Sequence, residues 1–153
     1  MEVTARPGLR PALLGLVFAG GTVGTAVRWG LETGFAAPAG SWPWTTLWIN
    51  LSGSLLLGGL LEALAATGPD SGWRRRVRLG VGTGLLGGYT TYSTFSIETV
   101  RLVREGTLWL GLAYAVVSVV AGIGLALAGN RLVRLLLRRR PQATAGRPEG
   151  RTA

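Results

Sequence analysis

Residues 79–98 read LGVGTGLLGGYTTYSTFSIE, and the fold turns on this stretch. Its first half is apolar and rich in glycine. From Gly87 it changes to Gly-Gly-Tyr-Thr-Thr-Tyr-Ser-Thr-Phe-Ser, ten residues with five Ser or Thr hydroxyls and two tyrosines. A continuous lipid-facing helix would not be built this way. Paired glycines followed by a β-branched polar run predict a helix broken near mid-membrane. Such a break frees backbone N–H and C=O groups, which is tolerated only where they line a cavity or bind an ion. The competing reading is a Thr-rich helix whose hydroxyls bond back to the preceding turn.

The stretch lies between Arg78 and Glu98, and it is one of four long segments nearly free of charge. The predicted spans are 11–29, 44–66, 77–103 and 107–129, against the roughly 20 residues a helix needs to cross the hydrocarbon core. A soluble bundle would show a polar stripe every turn, yet residues 108–128 carry no charge at all. A signal peptide near the N-terminus is disfavoured because three more spans follow. Trp29, Trp42, Trp44, Trp73 and Trp109 fall at segment ends, as interface anchors do. The expectation is an all-α membrane protein: a four-helix transmembrane domain over residues 1–133, then a basic, disordered tail over 134–153.

Small residues recur along the spans. Gly20 and Gly24 form a GxxxG pair, Gly80, Gly84 and Gly88 form two in series, and Ser54 with Gly58 is a related spacing. Gly111, Ala115, Gly122 and Ala126 mark one side of the fourth span. Such rows let helix backbones approach closely in lipid. They serve packing within one bundle, or they also supply a dimer face. Four helices alone enclose little, which favours a dimer.

The chain has 153 residues, no Cys, no His and a formal charge of +9. There is no thiol nucleophile, no imidazole base and no His or Cys metal ligand, and no convergent base, nucleophile and acid can be named. An enzyme is not expected. All 16 basic residues are arginines. With four spans, thirteen of them fall on the side of the two termini and of the loop between spans two and three. Three, Arg28, Arg101 and Arg104, fall on the other side. This bias predicts a multi-pass protein of the plasma membrane with both termini in the cytoplasm. The arginine cluster at 138–140 then meets anionic lipid rather than nucleic acid.

Polar residues inside the spans are few. Asn50 follows Thr46 and precedes Ser54 at four-residue spacing, so the three share a helix face. An isolated Asn in lipid is costly unless paired, and interhelical glue is one reading of it. Tyr114 and Ser118 make a short polar track on the fourth span. Glu98 is the acid nearest this track, either snorkelling to the interface or standing at a pore mouth. Hydroxyls, an amide NH2, freed N–H groups and ring edges all present positive potential, and no charge lies at mid-span. A neutral, donor-rich path suits a small anion. The alternative is a small four-helix, proton-coupled drug or cation exporter. That class needs a membrane-embedded carboxylate, and every acid here lies at a span end or in a loop.

At these residues the chain resembles the Fluc (CrcB) family of fluoride channels. The matching stretches are GGTVGTAVRW at 20–29, TTLWINLSGSLLLG at 45–58 and GLLGGYTTYSTFSIE at 84–98. The resemblance implies an antiparallel dimer of four-helix subunits, with two pores that export fluoride passively. It implies that Asn50 lines the pore and that Tyr92 and Phe95 form an aromatic box around Ser93 and Thr94. By the same resemblance Tyr114 and Ser118 form the polar track, and Glu98 and Arg28 lie near pore entrances. It also implies a structural, untransported sodium ion, held at the dimer axis by backbone carbonyls of Gly87 and Thr90.

Some positions depart from the family pattern. Tyr92 stands where Phe is usual, Thr45 where Gly is common before Thr46, and Gly122 where a hydroxyl often continues the track. The arginine bias departs as well. A chain that dimerises antiparallel with itself must insert both ways and should carry little asymmetry. The bias therefore points to an antiparallel heterodimer with a homologous partner of opposite bias, while a homodimer that tolerates the bias stays open.

Overall fold

The computed structural model describes residues 11–38 and 40–138, and all regular structure among them is helical. Helix α1 spans Pro11–Gly34, α2 Trp44–Thr67 and α3 Gly72–Val77. A π-helical stretch follows at Arg78–Leu86, then the short α4 at Gly87–Tyr89, α5 at Ser93–Arg104 and α6 at Leu108–Arg138. Three helices, α1, α2 and α6, are long and apolar enough to cross a membrane. Few apolar side chains are buried within the chain, and Phe18 and Trp109 are 77% and 81% exposed. That pattern suits a surface solvated by lipid.

The remaining apolar stretch has a different character. It follows the arginine-rich α3, runs through the nine-residue π-helical stretch and closes with α4. Helical geometry stops at Thr90, whose φ of −77° and ψ of 156° are extended, and resumes at Ser93. No side chain longer than Leu or Thr occurs between Leu79 and Leu86, and four residues from Gly80 to Gly87 are glycines. Such a segment has little of the side-chain packing that holds an α-helix in register.

Two packed groups make up the bundle. In one, α1 lies against the π stretch and α4; in the other, α2 lies against α6, with α5 also on α6. Contact between α1 and α2 is sparse. The small-residue rows sit in these seams. A methyl group at Gly20 would overlap the Gly80 carbonyl, and one at Gly24 the Leu85 carbonyl. On the other side, a methyl at Gly58 would overlap the Ala126 carbonyl and one at Gly129 the Leu55 carbonyl. These rows thus serve close packing within the chain, with backbones in direct contact. The α2–α6 seam ends in a polar clamp: Asn130 Nδ2 donates to Glu62 at 2.6 Å and Arg134 Nε at 3.0 Å.

Helix α6 outlasts its apolar stretch. It was expected to end near 129 but continues to Arg138, so residues 134–138 of the expected tail are helical. Leu and Arg are good helix formers, and Val133 still packs on Gly59 of α2. The rest of the expected tail lies outside the described residues, as do the N-terminal arginines Arg6 and Arg10.

Candidate functional site

The interruption at Thr90–Tyr92 organises the polar residues. Its backbone is satisfied from outside the segment. Thr91 N–H donates to Asn50 Oδ1 at 2.8 Å, and Asn50 Nδ2 donates to the Thr91 carbonyl at 2.9 Å. One side-chain amide thus meets both polar groups of one residue, as a neighbouring β-strand would. Thr91 is buried, and its hydroxyl accepts the Thr94 N–H at 3.1 Å, which caps the start of α5. The hydroxyls of Ser93 and Thr94 lie 3.2 and 3.1 Å from that of Thr91. Just before the interruption, Arg28 Nε donates to the Gly88 carbonyl at 3.1 Å while Arg28 Nη1 contacts Glu32 at 3.2 Å. Arg28 thereby ties α1 to the last turn of α4.

One turn further along α5, Glu98 joins three helices. Thr46 Oγ1 donates to it at 2.7 Å from α2, and Tyr114 OH donates at 2.8 Å from α6. Thr46 and Tyr114 are almost wholly buried, at 1% and 0% exposure. The Tyr114 ring packs among Leu47, Leu51 and Leu102. Aromatic rings run through the same region: Tyr92 to Phe95 at 5.9 Å, Phe95 to Tyr114 at 5.4 Å, and Tyr114 to Trp42 at 5.5 Å, the last edge to face. Ser118 Oγ and Trp42 Nε1 are buried and have no hydrogen-bond partner among the described residues.

Two cavities flank the cluster. One of about 290 Å³ is bordered by Asn50, Ser54, Gly87, Thr90, Thr91 and Tyr92. The other, about 250 Å³, is bordered by Glu32, Thr46, Thr94, Glu98, Arg101 and Glu105. Thr91 borders the first and Thr94 the second, and their hydroxyls are in hydrogen-bond contact. The arrangement is a short run of uncharged hydroxyl groups between two cavities, with a carboxylate at one of them.

The residues picked out in the sequence separate accordingly. Asn50, Tyr92, Ser93, Thr94 and Phe95 gather at the interruption, and Glu98 joins Tyr114 next to them. Ser118 lies one turn along α6 from Tyr114. Gly87 and Thr90 border the larger cavity. Arg28 bonds to Gly88 and to Glu32, which borders the smaller cavity with Glu98, and makes no bond to Glu98 itself. Thr46, Thr91 and Trp42 were not among the candidates. Thr46 had been placed on the Asn50 face, four residues away, and that spacing was the available sign of its role. Nothing local distinguishes Thr91 from the hydroxyl residues around it.

Comparison with known proteins identifies the family. The family model described as CrcB-like protein, Camphor Resistance (CrcB), matches residues 15–130. A fluoride-specific ion channel of Cutibacterium acnes, FluC 1, is 47% identical over 131 residues, covering 86% of this chain and 92% of that one. FluC 2 of Leifsonia xyli, a fluoride-specific ion channel, is 45% identical over 117 residues, 76% of this chain and 80% of its own length. A fluoride-specific ion channel of Beijerinckia indica is 43% identical over 122 residues, 79% of this chain and 95% of that one. With the family model matching residues 15–130 and relatives 43–47% identical over 76–86% of the chain, the chain belongs to the CrcB family.

Proposed function

We propose that this chain is a subunit of a fluoride-specific ion channel that lets fluoride leave the cytoplasm passively, lowering its concentration there. The observation that carries the reading is the neutral donor line from the Asn50–Thr91 pair to the Thr46–Glu98–Tyr114 cluster, with a cavity at each end. A small, strongly hydrated anion needs replacement donors for its lost water, and a fixed positive charge would bind it too tightly to release. Hydroxyls, the second N–H of Asn50 and the ring edges of Tyr92 and Phe95 supply donors of intermediate strength. Ser118, whose buried hydroxyl has no partner among the described residues, extends the line along α6 from Tyr114, whose O–H goes to Glu98. The names of the relatives point to the same ion.

In this reading the interruption at Thr90–Tyr92 lies near mid-membrane, within a four-helix transmembrane domain over residues 1–133. The subunit works as an antiparallel dimer in the plasma membrane, with both termini cytoplasmic. The arginine asymmetry favours a homologous partner of opposite bias over a second copy. Gly87 and Thr90 would present backbone carbonyls to a structural sodium ion at the dimer axis. The residues suit it: both border an open cavity, and the extended Thr90 backbone takes its carbonyl out of the helical direction. Carbonyl oxygens are hard, neutral donors, and sodium would contribute a fixed positive charge that holds the carbonyl dipoles of two subunits together. Glu98 and Arg28 stand near the pore entrances, Glu98 held by two donors and Arg28 fixing the end of α4.

The test is fluoride-electrode efflux from liposomes holding the purified chain, alone and then with a homologous partner. Fluoride release far above chloride release is expected once the partner is present, and little release from the chain alone. The absence of fluoride release from both preparations would remove the channel reading. Robust release by the chain alone would remove the requirement for a second subunit.

A further inference from the structure

We propose that the arginine-rich end of the bundle is a binding surface for anionic phospholipids, formed by Arg75 and Arg76 of α3 and by Arg131 and Arg138 of α6. The two ends of the bundle differ sharply in charge. At one, Arg74, Arg75, Arg76, Arg78, Arg131, Arg134 and Arg138 face only Glu62 and Asp70 among the described residues. At the other, Arg28, Arg101 and Arg104 are matched by Glu32, Glu98 and Glu105. Some of the arginines at the rich end are engaged. Arg78 pairs with Asp70 at 2.7 Å, Arg134 pairs with Glu62 at 3.0 Å, and Arg74 bonds to Thr67 at the end of α2. Arg75, Arg76, Arg131 and Arg138 are exposed and have no ion-pair partner among the described residues.

The four unpaired cations do not face plain water. Helix α6 has 31 residues, hence a length of about 46 Å, against about 30 Å of hydrocarbon. Its last turns read RLVRLLLR, residues 131–138. Val133 turns to Gly59, which fixes the face that packs on α2. Arg131, Arg134 and Arg138 then share a second face, and Leu132, Leu135 and Leu136 a third, each 55–58% exposed. On α3, Trp73 is 55% exposed and carries the Arg74 guanidinium 5.2 Å from its ring centre. Leucines suit hydrocarbon and arginines suit water, and at this depth they are interleaved. The phospholipid headgroup layer satisfies both, since each molecule brings a phosphate and an apolar body together. A free anion would leave the leucines and Trp73 uncovered, so the lipid itself is the assigned ligand. The guanidinium fork suits its phosphate.

The inference does not depend on which ion the bundle conducts, and its test uses no flux measurement. Purified full-length chain in detergent is titrated with phosphatidylglycerol or with phosphatidylcholine, and bound lipid is counted by native mass spectrometry. Wild type should prefer phosphatidylglycerol, and the preference should weaken as salt is raised. Each of Arg75→Gln, Arg76→Gln, Arg131→Gln and Arg138→Gln should reduce the preference roughly fivefold. Lys at the same four positions should keep most of it, and Arg104→Gln at the opposite end should change nothing. Inorganic phosphate should fail to displace the lipid. Equal binding of the two lipids by wild type would overturn the proposal. So would an undiminished preference in a variant that carries all four Gln substitutions together, or displacement by inorganic phosphate.

Discussion

Asn50 engages one residue with both ends of its amide, and this sets its role. The Thr91 N–H and carbonyl would otherwise be orphaned where helical bonding stops, and a polar group left unpaired there costs about 1–3 kcal/mol. Asn50→Asp keeps the acceptor, loses the donor to the Thr91 carbonyl and adds a charge that repels an anion. Fluoride efflux from liposomes should fall at least about tenfold, since roughly 1.4 kcal/mol in a barrier is tenfold in rate. An efflux rate equal to wild type would show that neither the clamp nor the neutrality of the site matters. Tyr114 offers a milder change. Tyr114→Phe removes the donor to Glu98 and leaves the ring among Leu47, Leu102 and Phe95. The variant should elute from gel filtration as wild type does and conduct several-fold more slowly. If it conducts normally, Glu98 needs no donor from α6. Much of this site was legible beforehand because polar residues are conspicuous in apolar spans. Asn50, Glu98, Tyr114 and the Ser-Thr run stood out for that reason. Thr91 did not, because its distinction is conformational: it sits where the backbone leaves the helix, beside other hydroxyl residues of the same kind. Trp42 has the segment-end position of an interface anchor, and its ring against Tyr114 depends on the course of the α1–α2 loop.

Among the elements, the glycine rows carry the sharpest energetic statement. Their spacing showed that helices would touch, but not which helices or across which seam. The fold answers that α1 meets the π stretch and α4, and α2 meets α6. Gly24→Ala would push a methyl into the Leu85 carbonyl, and overpacking of this kind costs about 1–3 kcal/mol. Gly15→Ala meets no atom within 4 Å and removes a poor helix former. Thermal unfolding in detergent should therefore occur several degrees lower for Gly24→Ala and no lower for Gly15→Ala. Equal unfolding temperatures would mean that the α1 seam can open without penalty. The π geometry of Arg78–Leu86 had no sequence sign. An α-helix and a π-helix of this composition differ only in which carbonyl each N–H chooses, and a glycine-rich run has few side chains to record the choice. The overrun of α6 was hidden for another reason. Apolarity sets where a span ends, while helix propensity sets where the helix ends, and Leu-Arg alternation separates the two.

At the scale of the whole molecule, the charge asymmetry makes a claim about insertion that the polypeptide is well suited to test. The chain contains no cysteine, so a single introduced thiol reports its own side of the membrane without background. Ala37 and Ser71 are both exposed, and they lie in the α1–α2 and α2–α3 connections at opposite ends of the bundle. Neither change alters the arginine count. If the thirteen-to-three bias holds one orientation, a membrane-impermeant maleimide added to intact cells labels Ala37→Cys and leaves Ser71→Cys unmodified until the cells are opened. If the chain inserts both ways, as an antiparallel homodimer requires, each variant is labelled to about half of its full extent before lysis. The measurement separates the two assemblies without any assumption about conduction. A single orientation leaves an antiparallel dimer attainable only with a different chain, because two copies facing the same way cannot be related by an axis in the membrane plane. Half labelling at both positions would instead remove the reason for a partner and leave the excess arginines to the lipid surface alone.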